Sequence, residues 1–244
     1  MADMETGIST EASGAEDRES CSTEDAVMDA AVTTDSEEDA YREAIAGAIL
    51  VALILLTALF FRWRPGPTII DQWGISLIHP ALHNASWQRI AQIRSTSFLA
   101  LGSILAALIV VARDRWRALA CLVAPTLAVL LTEYVLKPVI ARRYAQVLSF
   151  PSGSTTAVAA MAVAWVIAVP RWIRPVVAIV GAFFVGLVCM AVIALQWHLP
   201  TDALGGVAFG AGVVLLVDGV IHLVVWAVRR RQRDRSTSDA PSLA

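Results

Sequence analysis

Three short polar segments in this 244-residue chain carry residue types that can grip an anion and act on it. They are Lys137 with Arg142 and Arg143, then Pro151-Ser152-Gly153-Ser154, then His198 with Asp202. Lys137 is the only lysine among 19 lysines and arginines, so a sequence that otherwise avoids lysine keeps one here. An ammonium and a guanidinium both donate to phosphate, the guanidinium matching two oxygens as a fork. Ser152 and Gly153 open a long apolar run, and a helix starting there offers unpaired N–H groups and about half a positive charge. Glycine lets the backbone approach a phosphate closely. His198 and Asp202 stand four residues apart, which puts them on one side of a helix start with Pro200 in its first turn. An aspartate bonded to one ring nitrogen would fix the tautomer and leave the other nitrogen as nucleophile or base.

Each segment alone has a plainer role. Lys137 can pair with Glu133 one turn earlier and snorkel to an interface. Pro151-Ser152-Gly153-Ser154 is an ordinary turn and cap, His198 an interfacial aromatic beside Trp197, and Arg143 a headgroup contact. Asp218 and His222 repeat the four-residue spacing further along and read as a structural hydrogen bond or anchor. His79 and His83 lack a further ligand of suitable spacing, so no metal site is read there. Convergence of the three segments is what makes a site, and convergence requires elements that bring them to one depth.

Those elements are membrane helices. Hydrophobic residues make up 57% of the chain and charged residues 16%, with mean hydropathy +0.64; soluble domains carry about 25% charged residues. Acidic residues are uneven, with 13 of 21 lying within residues 1–40, so the net charge of −2 describes neither half. A strongly basic nucleic-acid binder is excluded, as is a disulfide-stapled miniprotein; Cys21, Cys121 and Cys189 read as fillers. A spanning helix needs about 20 mostly apolar residues. Six stretches qualify or nearly so: 44–61, 95–112, 118–136, one from about Ser154 within the uncharged run 144–170, 175–197 and 203–228. The expectation is an all-α bundle of six transmembrane helices over 41–228, preceded by a disordered acidic tail (1–40) and followed by a basic tail (229–244). The loop 62–96, with Trp63, Trp73 and Trp87, reads as interfacial, with a short helix carrying Leu82, Ala85, Ile90 and Ile93 after Pro80. Ten arginines flank one set of span ends and seven cations the other, so both termini are expected in the cytoplasm of a multi-pass plasma-membrane protein. All three polar segments then fall at the outer face.

The order Lys137–Arg142, Ser152-Gly153, His198-x3-Asp202, within LSFPSG and QWHLPTDALGG, resembles the type 2 phosphatidic acid phosphatase superfamily over roughly residues 95–228. The resemblance implies a membrane hydrolase of lipid phosphates or polyprenyl pyrophosphates, with no metal, cofactor or nucleic-acid partner. It implies that His198 attacks phosphorus to form a phosphohistidine, helped by Asp202. Lys137, Arg142, Ser152, Gly153 and Ser154 would hold the phosphate. Three positions depart from the family pattern: Tyr144-Ala145 replaces an Arg-Pro, Ser154 a histidine, and Ala191-Val192 a Ser-Arg. Serine is no general acid near neutral pH, and acid–base help contributes about 10²–10⁴-fold. Valine at 192 offers no donor to a phosphate, which also weakens transition-state stabilisation. Impaired or narrowed activity is expected, with a degenerate lipid-phosphate binder as the alternative. A transport path fits less well, because charges deep within several spans are mostly missing.

Overall fold

A computed structural model of the chain describes residues 38–63, 66–78, 86–91, 96–144 and 147–238. The acidic tail up to residue 37, His79, His83, Leu82, Ala85, Ile93 and the last residues of the basic tail lie outside the described residues. The described residues from Ala40 onward form one compact unit.

The chain is all-α. In order it forms α1 (Glu38–Trp63), α2 (Ile69–Ile78), α3 (Ser86–Ala91), α4 (Thr96–Val110), α5 (Arg115–Leu131), a π turn (Thr132–Leu136) and α6 (Lys137–Ile140). A two-residue hairpin follows, β1 (Arg143–Tyr144) with β2 (Val147–Leu148), pairing Arg143 with Leu148 and Tyr144 with Val147. Then come α7 (Gly153–Ala168), α8 (Arg174–Ala194) and α9 (Pro200–Ser238).

Among the described residues, four helices are long and apolar enough to cross a membrane by length and composition: α1, the continuous Arg115–Ile140, α8, and Pro200–Gln232 of α9. The other two expected spans are α4 and α7, apolar but only 15 and 16 residues long. At 1.5 Å per residue each covers roughly 23 Å of the roughly 30 Å hydrocarbon layer. The uncharged run before α7 is spent on the hairpin and on a turn through Pro151, which cannot continue a helix. Leu53, Leu56, Leu108, Ile179 and Phe183 face outward from the bundle, as a protein embedded in lipid allows.

The middle of the bundle is α7. From Gly153 to Met161 every residue is buried, as are Ala164, Ile167 and Ala168. A helix apolar all round belongs in an interior. Small residues let its neighbours approach. A Cβ at Gly206 or Gly210 of α9 would collide with the α7 carbonyls of Ser152 and Thr156, and Gly47 of α1 meets Gly212 and Leu216 of α9 in the same way. Such small-residue seams are the usual packing of membrane helices. Cys121 lies within the main core and Cys189 packs against a second cluster around Val188 and Val192, both free thiols.

At the arginine-rich end, Asp114 fixes the start of α5. One oxygen accepts the N–H groups of Trp116 and Arg117 (both 3.0 Å), and the other meets His222 Nε2 at 2.8 Å. Arg117 Nη2 lies 3.0 Å from both Glu43 of α1 and Asp218 of α9. The Asp218–His222 spacing, expected as an anchor, thus ties three helices together.

Candidate functional site

Pro138 lacks an N–H and crowds the carbonyl one turn behind it, and just before it the helix opens into the π turn, where the Lys137 N–H bonds the Thr132 carbonyl. Within this turn Lys137 Nζ holds both oxygens of Glu133, at 2.7 and 2.8 Å. The plainer pairing that the spacing suggests is therefore present. Glu133 does more than pair, because its Oε1 lies where a Cβ at 153 would stand. Its carboxylate rests on the first turn of α7, the place an anion favours. Gly153 admits that approach; any larger residue would push Glu133 away.

Ala141 ends α6 in the left-handed conformation (φ 57°), and the chain turns Arg142 inward. Arg142 is fully buried and surrounded. Its Nη1 donates to Asp202 Oδ1 (2.6 Å) and Thr201 Oγ1 (2.8 Å), and its Nη2 to Asp71 Oδ2 (3.0 Å) and the Gly66 carbonyl (3.2 Å). The guanidinium stacks 3.8 Å from the Phe61 ring, which packs on Phe150 at 4.8 Å. All four Nη hydrogens are spoken for. Arg142, expected to reach out to a phosphate, instead binds the strand start to α2 and α9.

Asp202 also has other partners than expected. Helix α9 begins at Pro200, so His198 precedes it and the four-residue spacing does not place the two side chains on one helical face. The second oxygen of Asp202 accepts the Leu199 N–H at 3.0 Å, the return half of a capping box. His198 instead sets Nδ1 2.9 Å from the Ser149 carbonyl. A carbonyl only accepts, so Nδ1 carries the hydrogen and, in the neutral ring, the lone pair sits on Nε2. A backbone oxygen performs the orienting role expected of Asp202.

Ser152 is the N-cap of α7, yet its hydroxyl makes no capping bond. The hydroxyls of Ser152 and Ser154 are buried without a hydrogen-bond partner, a condition that costs about 1–3 kcal/mol per group. The Ser152 N–H donates to the Asp202 carbonyl (2.9 Å) and Ser149 N–H to the Arg142 carbonyl (2.9 Å). The three remote segments therefore meet around the N-terminus of α7, through these bonds and the His198–Ser149 contact. Val192, where the family pattern has arginine, is buried in a cluster with Val188 and Ala203.

One member of the site escaped the sequence reading. Asp71 is fully buried although it comes from the loop expected to lie at the interface. Thr68 and Asp71 cap α2 reciprocally: the Thr68 N–H donates to Asp71 Oδ2 at 2.8 Å and the Asp71 N–H to Thr68 Oγ1 at 3.2 Å. Asp71 Oδ1 also accepts the Thr201 N–H at 2.8 Å. Burial alone would raise its carboxyl, but the N–H groups of Thr68 and Thr201 outweigh it and hold the group below the ordinary aspartate value. The available signal was isolation: Asp71 is the only acidic residue between Glu43 and Asp114.

No protein-family model matches this chain, and no curated protein or solved structure is significantly similar to it.

Proposed function

We propose that this chain is a membrane phosphatase-like protein that hydrolyses a lipid phosphate or polyprenyl pyrophosphate, with His198 as nucleophile. His198 Nε2 would attack phosphorus while the bond to the leaving oxygen breaks, and water would then cleave the phosphohistidine. The observation that carries this is the His198–Ser149 contact, which sets the ring against the turn leading to the two unpartnered serine hydroxyls of α7. Lys137 supplies positive charge at the same helix end, once drawn from Glu133. Nothing in this set replaces the missing acid at 154, so a phosphate leaving group, which needs protonation least, suits the site best. In the same proposal α4 and α7 complete six membrane crossings, with the arginine-rich end cytoplasmic and the site at the outer face.

A binding role without turnover is the second reading, and the commitment of Arg142 to Asp71 and Asp202 favours it. One comparison separates the two. The purified chain in detergent is assayed for phosphate release from phosphatidic acid and from a polyprenyl pyrophosphate, alongside His198→Ala. Release from the pyrophosphate that His198→Ala abolishes supports hydrolysis. Release that survives in His198→Ala removes the nucleophile assignment, and binding without release by the native chain establishes the second reading.

A further inference from the structure

At the end opposite the candidate site, α9 overshoots α5. The contacts of Asp114 with His222 and of Arg117 with Asp218 set the first turn of α5 beside residues 218–222, while α9 runs on to Ser238. In this step lies a groove of about 490 Å³. Leu119, Val224 and Val228 line it, and these side chains are 43%, 56% and 50% exposed. Arg115, Arg229 and Gln232 line it as well, all three exposed.

The charge offered to the groove is positive. Among the described residues, the acids nearest the groove are already engaged: Asp114 caps α5 and meets His222, and Glu43 and Asp218 both meet Arg117. An apolar floor with a cationic rim, at the boundary of two membrane helices, is matched by a molecule with hydrocarbon on one side and an anion on the other. A second groove of about 510 Å³, between α4, α7 and α8, is lined by Phe98, Met161, Trp165, Phe184 and other apolar residues and carries no charge, so it selects no headgroup.

We propose that the groove between α5 and α9 binds an anionic phospholipid, its phosphate between Arg115 and Arg229 and its upper chain carbons against Leu119, Val224 and Val228. Basic pockets between membrane helices act in this way on anionic headgroups. The site is independent of the phosphate site at α7 and requires no turnover.

The test uses the full chain in a mild detergent, offered equal amounts of phosphatidylglycerol and phosphatidylcholine, with retained lipid read by native mass spectrometry. The native chain should retain phosphatidylglycerol preferentially. Arg115→Gln with Arg229→Gln should lower that preference on the order of tenfold, and Val224→Trp, which fills the floor, should remove retention of both lipids. An unchanged melting temperature in phosphatidylcholine checks that the variants fold. Equal retention of the two lipids by the native chain overturns the proposal. So does a preference that survives the double substitution, which would assign it to the arginines of the tail, or a dimer mass whose interface covers the groove.

Discussion

Glu133 is the residue whose role reaches furthest into the site. Its carboxylate holds the ammonium of Lys137 and lies against the first turn of α7, where the proposed function would seat a phosphate. In that proposal a bound phosphate displaces it. Glu133→Gln removes the competing charge and releases Lys137, and inorganic phosphate should then bind about tenfold more tightly, read as the ligand-dependent rise in melting temperature. Equal or weaker binding in the variant would separate Glu133 from the ligand site. Lys137 and the serines at 152 and 154 were legible because their types and order are distinctive. Glu133 was legible only as a partner for Lys137: the i, i+4 spacing announces that pair, whereas its approach to Gly153 depends on a π turn that no periodicity reports.

Asp71, Arg142 and Asp202 form a buried set of two carboxylates and one guanidinium. Removing one member of a buried pair strands the others, at about 3–5 kcal/mol. Arg142→Met should therefore lower the melting temperature markedly, while His198→Ala leaves it near that of the native chain. The pH dependence has a definite sign. Asp71 is held below its ordinary value in the folded state, so its charge contributes stability that is fully present above the unfolded value and is lost as pH falls through the folded one. A melting curve against pH should fall on the acid side for the native chain, and Asp71→Asn should start lower at neutral pH and decline less.

Among the elements, the connection from α6 to α7 decides how the site is assembled. Ala141 adopts a left-handed conformation that costs an L-residue about 1–2 kcal/mol. The hairpin then sets Arg142 opposite Ser149, and the Phe150–Pro151 peptide is cis. Ala141→Gly should keep the geometry and leave stability unchanged or higher, measured by thermal unfolding in detergent; a clear loss would mean that the Ala141 methyl has a packing role. The helices themselves were readable from apolar runs, four of them long enough to cross a membrane and α4 and α7 shorter than the spans expected there. The hairpin was not, because two pairs of residues, Arg143 with Leu148 and Tyr144 with Val147, are too few to leave a periodic trace. The role of α2 was equally hidden. Its sequence is that of an interfacial helix, and only the threonine–aspartate cap at Thr68 and Asp71 hints that it is anchored, with Gly74 close against Pro200.

For the whole molecule, the candidate site around His198 and the arginine-rich end lie at opposite ends of one helix, α9. In the proposed topology the positive-inside bias puts the arginine-rich end in the cytoplasm. In a chain freed of its own cysteines, Ser76→Cys should react with an impermeant maleimide in intact cells, and Arg231→Cys only after permeabilisation. The reverse pattern would invert the topology and put the site in the cytoplasm. Convergence of the three segments is what the site requires, and their chemical identity made it possible to expect it. What composition and spacing could not supply is how each polar group is spent: Arg142 and Asp202 have the right types for a ligand site, yet burial turns them toward each other.

The central claim is that His198 takes a phosphoryl group. Incubation of the native chain with a polyprenyl pyrophosphate, quenched in alkali to preserve an acid-labile N–P bond, should leave the peptide containing residue 198 heavier by one phosphoryl group. His198→Ala should yield no such peptide. Phosphate release by the native chain with residue 198 unmodified, or with the phosphoryl group on another side chain, would contradict the account.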